Sequence, residues 1–213
     1  MIIPEQKICK QNNKYRVLPN SRQLKIATLL LSSIMLTACL TSPSLPEQQR
    51  PAQWGQMVHR DHNFYRISDW LYRSEKPEQD QLPILKEHGI DIVINLRSRD
   101  RDQALLSAHG FELVHLPVHT WNIQAENLLQ VMRVLEKAKA QNKKVLIHCY
   151  HGSDRTGANI AMYRIIFENW TVEQALAEMK YGGYGFHPIW LNIEKLFIPE
   201  KIKWVQEQLS NPS

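Results

Sequence analysis

Cysteine is the rarest residue type in this chain, with three in 213 residues, at Cys9, Cys39 and Cys149. So few cannot build a disulfide framework. Long apolar runs are missing too. The longest, Ile26 to Leu36, has eleven residues and is too short to span a bilayer comfortably. Charge of one sign is in excess only at the start: 26 Lys and Arg stand against 21 Asp and Glu, a formal net charge of +5. Six of the basic residues (Lys7, Lys10, Lys14, Arg16, Arg22 and Lys25) and one acid, Glu5, fall in the first 39 positions, leaving 20 of each sign in the remainder. The excess therefore gives no support to a nucleic-acid partner. Nine histidines are scattered without ligand spacing. His115 and His119 lie four apart, but Pro117 between them argues against a helix that would align them, so no metal is expected.

The apolar run follows a basic stretch and leads into small residues, the pattern of a secretory signal. It ends in Leu36-Thr37-Ala38-Cys39, which resembles a bacterial lipobox. That resemblance implies cleavage before Cys39 and lipidation of the cysteine, and two or more acyl chains anchor stably where one does not. Leu40 stands where an aspartate would, by the enterobacterial rule, retain a lipoprotein at the inner membrane. The expected location is the bacterial cell envelope, facing the periplasm, at the outer rather than the inner membrane. Residues 1–38 are then the signal peptide. Residues 39–62, with Ser-Pro-Ser-Leu-Pro-Glu-Gln-Gln-Arg-Pro and little periodicity, read as a lipidated N-terminus and a tether. Residues 63–213 suffice for one domain with its own core, in which Cys149 is the sole thiol.

Within that domain Phe64 to Ile67 and Trp70 to Arg73 predict a hairpin around Ser68-Asp69. A helix from Pro77 to about His88, a strand over Ile90 to Leu96, a short helix over Arg101 to His109 and a strand over Phe111 to Leu116 follow. Ile123 to Gln141 predicts a long helix with Leu128, Val131, Met132, Leu135 and Ala138 on one face. A strand at Lys144 to Ile147, a helix from Ala158 to Phe167, and helices at Trp170 to Lys180 and from Ile189 onward complete the pattern. Alternation of strands and helices implies an α/β fold: a central, mostly parallel sheet flanked by helices on both faces.

The chemistry is concentrated in His148-Cys149-Tyr150-His151-Gly152-Ser153-Asp154-Arg155-Thr156-Gly157. This stretch joins a buried strand to a helix N-terminus, where successive backbone N–H groups converge and the helix dipole favours an oxyanion. Tyr150, His151, Gly152, Ser153, Asp154 and Arg155 are the expected phosphate-binding residues. Gly152 allows the tight turn, and Arg155 can hold two phosphate oxygens through its planar fork. The same field favours Cys149 as the thiolate, the nucleophilic form. His148 supports the loop from behind.

The stretch resembles the His-Cys-x5-Arg-Thr-Gly signature of the protein tyrosine and dual-specificity phosphatases, with a longer loop than is typical of rhodaneses. Leu71-Tyr72-Arg73-Ser74, Val93-Ile94-Asn95-Leu96-Arg97, Ala161-Met162-Tyr163-Arg164 and Ala175-Leu176-Ala177-Glu178-Met179 are similar to the small exported bacterial dual-specificity phosphatases of the TpbA type. The resemblance covers roughly Phe64 to Phe186. It implies that Cys149 attacks phosphorus to give a phosphocysteine, that Arg155 binds the phosphoryl oxygens, and that the Thr156 hydroxyl steadies the departing thiolate, with no cofactor. The expected substrate is a phosphorylated protein or a small phosphoester. Arg73, Arg97 and Arg164 read individually as core-bordering ion pairs.

One element of the family pattern is absent. The family's general acid is usually an aspartate on the loop after the strand ending near Pro117, and here Trp121 occupies its place in Pro117-Val118-His119-Thr120-Trp121-Asn122. Asp154, His119 and Glu126 are the possible substitutes. Asp154 is favoured, because myotubularins carry an aspartate before the loop arginine and a bound phosphate dianion favours the protonated carboxyl. The alternative is that it caps the following helix. The leading reading is a lipid-anchored tyrosine or dual-specificity protein phosphatase; the alternatives are a phosphoinositide or small-phosphoester phosphatase and a non-catalytic phosphate-binding pseudophosphatase. Against the second, the loop offers only His151 where lipid phosphatases often place lysines.

Overall fold

The computed structural model describes residues 41–211; the signal segment and Cys39 lie outside the described residues. Six strands form one sheet: β1 (Gln56–His59), β2 (Phe64–Arg66), β3 (Leu71–Ser74), β4 (Ile92–Asn95), β5 (Glu112–His115) and β6 (Val145–His148), in the order β1-β2-β3-β6-β4-β5. β1, β2 and β3 pair antiparallel. β3, β6, β4 and β5 run parallel, with Ser74 level with His148 and Asn95 on its other side.

Every residue of β3, β4 and β6 is buried, as expected of parallel strands covered on both faces. Alternation still sorts their side chains. Val145 and Ile147 of β6 enter the larger apolar cluster, and Leu146 the smaller one on the opposite face. The larger cluster is covered by α3 (Ala125–Ala140), α4 (Asp154–Glu168), α5 (Val172–Tyr181) and α7 (Pro199–Ser210); α1 (Leu82–Glu87) and α2 (Gln103–Ser107) cover the smaller; and α6 (Leu191–Glu194) is a single turn. The predicted face of α3 is the buried one: Leu128, Val131, Met132, Leu135 and Ala138 all pack inward. The hairpin, the alternating order and the mostly parallel sheet agree with the sequence reading.

Two expectations are corrected. The helix predicted from Pro77 starts later: a 3-10 turn at Gln79–Gln81 precedes α1, whose first turn contains Pro83. Proline lacks an N–H and is tolerated only where none is needed. The tether predicted to reach His62 is not a free linker over its described part. Ser42 N donates to Phe186 O (2.7 Å) and Leu45 N to Tyr181 O (2.9 Å), and Trp54 is buried. Gly55 N donates to Glu178 Oε1 (2.6 Å), and β1 extends the sheet. β1 is an edge strand without a fully buried side chain, so it carries no alternation to be read.

Candidate active site

β6 delivers Cys149 to the carboxyl end of the sheet, between β3 and β4, where open α/β sheets bind ligands. The thiol is buried, and Cys149 is the one free cysteine among the described residues. The chain then wraps through residues 150–153 into α4. None of the amide N–H groups of residues 150–155 donates a hydrogen bond to another described residue. Six uncommitted donors in the loop and the first turn of α4 are available to an oxyanion.

Arg155 leaves the first turn of α4 and is held by Nη1, which donates to Leu96 O (3.1 Å) and Val118 O (3.2 Å). Its Nε is buried without a partner. Anchoring at one nitrogen thus presents the other edge of the guanidinium to the cradle, the edge that engages two oxygens of a tetrahedral anion. The Thr156 hydroxyl is buried and likewise unpartnered. The expected bond to Cys149 is not made, but the donor is uncommitted.

Gly152 sits at φ +72°, and a Cβ there would come 2.4 Å from Ser74 O. Left-handed backbone and close approach to β3 both require glycine. Behind the loop lies a residue whose role the sequence did not disclose. Arg73 is fully buried, with Nη2 donating to Gly152 O (2.5 Å) and more weakly to Ser153 O (3.4 Å). Its guanidinium lies 3.8 Å from the centre of the Tyr184 ring, and Nε and Nη1 are unpartnered. The expectation of an ion pair is corrected: no carboxylate salt-bridges Arg73 among the described residues. Burial lowers its pKa, with Tyr184 and Glu178 opposing, yet a guanidinium stays protonated. Arg97 and Arg164 do pair, with Asp102 (2.6 Å) and with Glu178 and Glu168. His148 is fully buried against Cys149 O through Nδ1 (3.2 Å), and burial pushes its pKa down to about 3. The imidazole is neutral, so its 3.6 Å approach to Asp102 is not an ion pair.

The acid candidates are placed apart. Asp154 is buried at the start of α4, with both carboxylate oxygens taken up by His187: its N–H donates to Oδ1 (2.8 Å), and Nδ1 lies 2.9 Å from Oδ2. His187, which no spacing signals because it lies 33 residues downstream, lines a groove of about 360 Å³ with His151, Ser153 and Arg60. His119 is exposed and stacks on Trp121 at 4.4 Å, and Trp121 is 66% exposed. Glu126 is exposed on α3, in a depression with Glu200, Lys201 and Trp204 that includes no phosphate-loop residue. His115 points Nε2 at Arg97 O (2.8 Å), so it does not converge with His119, and no group of three or more metal-ligating side chains occurs among the described residues. Asn63, another residue without a sequence signal, ties His151 O (2.8 Å) to Tyr184 O (3.1 Å).

Residues 71–188 match the family model described as "Dual specificity phosphatase, catalytic domain". This chain is a dual specificity phosphatase. Among its relatives is the dual specificity protein phosphatase TpbA of Pseudomonas aeruginosa, 34% identical over 156 residues, which are 73% of this chain and 70% of that one. The crystal structure of P. aeruginosa TpbA superposes with a TM-score of 0.68 at 30% identity, covering 76% of this chain and 100% of that one. A TpbA variant with its cysteine changed to serine, in complex with phosphotyrosine, gives a TM-score of 0.69 at 30% identity over 76% and 99% of the two chains. As a dual specificity phosphatase the chain acts on phosphorylated substrates.

Proposed function

We propose that this dual specificity phosphatase is a lipid-anchored enzyme of the bacterial envelope that hydrolyses phosphotyrosine and related phosphomonoesters through a phosphocysteine. One observation carries the chemistry: a buried thiol beneath six uncommitted N–H groups and an Arg155 with a free Nε. In this reading the Cys149 thiolate attacks phosphorus in line with the ester oxygen. The S–P bond forms as the P–O bond breaks, and the departing oxygen takes a proton. Water then gives a proton back to Asp154 and attacks phosphorus; the O–P bond forms as the S–P bond breaks, releasing phosphate and the thiolate, which the Thr156 hydroxyl stabilises. The loop N–H groups and Arg155 hold the equatorial oxygens, whose charge grows in each transition state.

The proton comes from the Asp154–His187 pair. His187 holds the Asp154 carboxyl group in place through its N–H and Nδ1, at 2.8 and 2.9 Å. A pH–rate profile beside Asp154→Asn tests this: loss of the basic limb with a fall of about 10²- to 10⁴-fold assigns the acid, and an unaltered profile clears Asp154 of the role. Cys149→Ser is expected to abolish p-nitrophenyl phosphate hydrolysis, and unchanged turnover would overturn the mechanism. TpbA, crystallised with phosphotyrosine, supports a tyrosine-directed substrate.

The signal-like N-terminus and Leu36-Thr37-Ala38-Cys39 support the anchor. With Cys39 acylated, one residue separates it from Thr41, which lines the groove shared by His151, Ser153 and His187. Chain reach of at most about 3.6 Å per residue then holds this groove close to the lipid headgroups. Incorporation of labelled palmitate, lost in Cys39→Ala, is the expected result; a soluble, unlabelled product would refute the anchor.

A further inference from the structure

The phosphate loop has a second neighbour on the side away from His187. A depression of about 250 Å³ is lined by Arg97, Ser98, Arg99, Arg101, Tyr150 and Arg155. Arg155 and Tyr150 belong to the phosphate loop itself, so the depression opens directly onto the cradle. Its charge is not compensated. Arg97 is neutralised by Asp102 at 2.6 Å; Asp100 accepts from the Gln103 N–H (3.2 Å) at the start of α2, lies outside the lining of the depression and forms no salt bridge among the described residues. Arg99 and Arg101 are both exposed and take part in no salt bridge and no hydrogen bond among the described residues. The Tyr150 ring, 48% exposed, forms an aromatic wall with Arg97 at 5.6 Å and Lys76 at 5.9 Å.

Like charges gathered on one short loop repel, and an anion relieves that repulsion. Guanidinium forks select phosphate or carboxylate, the groups they meet through two parallel N–H donors. The groove on the other side of the loop offers no equivalent, because its one arginine, Arg60, already faces Glu47 at 3.6 Å.

We propose that the Arg99–Arg101 depression is a subsite for a second anionic group, phosphate or carboxylate, carried by the same substrate as the scissile phosphate. The enzyme then selects multiply phosphorylated or acid-flanked phosphoesters over isolated ones. This rests on the phosphatase reading above and narrows its substrate class.

The test compares one phosphotyrosine peptide with alanine, glutamate or phosphothreonine beside the phosphotyrosine, inositol hexakisphosphate as a small polyanion, and p-nitrophenyl phosphate as a substrate too small to reach the subsite. Wild type is expected to favour the doubly phosphorylated peptide over the alanine peptide about tenfold in kcat/KM, as two charge-assisted contacts allow. Arg99→Ala/Arg101→Ala should erase that preference and leave p-nitrophenyl phosphate turnover within about twofold. Turnover of the inositol polyphosphate ahead of every peptide, lost in the same double variant, supports the subsite and assigns it to small phosphoesters. Equal rates for all peptides without arginine-dependent turnover of the inositol polyphosphate, or a preference that survives the double variant, overturns it. Absence of p-nitrophenyl phosphate hydrolysis by wild type counts against the phosphatase reading alone, because peptide preference can still be measured as binding by fluorescence anisotropy.

Discussion

A few side chains in this protein have no freedom to change, and each for a different physical reason. Gly152 combines positive φ with a backbone contact that a Cβ would violate at 2.4 Å. Gly152→Ala should therefore shift the loop off Ser74 and cut kcat/KM sharply, with a stability loss of about 1–2 kcal/mol; activity beside a urea melt checks both. Arg155 depends on having several nitrogens, one fixed to Leu96 O and Val118 O and another left free. Arg155→Lys keeps the charge but cannot do both, so kcat is expected to fall about 10²- to 10³-fold. His148 is held neutral, its pKa pushed by burial from 6.5 down to about 3. Between those values the unfolded chain binds a proton that the folded one refuses. Stability is then intact above about pH 6.5 and is lost as pH falls toward 3, by up to about 1.4 kcal/mol per unit. Urea midpoints between pH 7 and 4 should drop less in His148→Asn than in wild type.

At the scale of elements, β3 and α4 make the site by meeting at the loop. β3 carries Arg73 to the carbonyls of Gly152 and Ser153, a buried cation with no carboxylate partner among the described residues. Placed behind the cradle, it adds positive potential where the thiolate and the phosphate gather negative charge. Arg73→Met is expected to slow alkylation of Cys149 by iodoacetamide near neutral pH and to lower kcat. An unchanged alkylation rate would limit Arg73 to holding the loop. α4 begins at Asp154 rather than at Ala158, where its apolar spacing becomes visible, because its first turn is built from ligand-facing and buried polar residues.

Across the whole molecule, the Arg164–Glu178 pair joins segments distant in sequence. Arg164 donates twice to Glu178 (2.8 and 2.9 Å) and once to Gln53 O (3.0 Å), while Glu178 also accepts from Gly55 N and the Tyr184 hydroxyl. Burial opposes the charge on Arg164, but Glu178 and Glu168 outweigh it and raise its pKa. Glu178→Ala leaves that cation with Glu168 alone and strips the Gly55 N–H and the Tyr184 hydroxyl of their acceptor, and should cost about 3 kcal/mol. Limited proteolysis between residues 41 and 56 is expected to accelerate in the same variant, because the segment loses its attachment at Gly55. Retained protection there would show that the remaining bonds at Ser42, Leu45 and Gln53, together with β1, hold it.

The sequence by itself determined the chemistry and the class of fold. Cysteine and arginine six apart on a strand-to-helix loop can be read directly, because the motif's spacing is local in the chain. Periodicity likewise revealed the buried strands and the face of α3, since one-sided burial leaves a regular pattern. Only the tertiary structure decided what stands behind and beside that loop. His187 meets Asp154 across 33 residues, Arg73 meets Gly152 across 79, and Gly55 meets Glu178 across 123. Such contacts leave no spacing to detect, for they are set by which strand ends the sheet brings together. The edge strand β1 escaped for the same reason: backbone hydrogen bonds and half-exposed side chains hold it, and neither writes a pattern into the sequence.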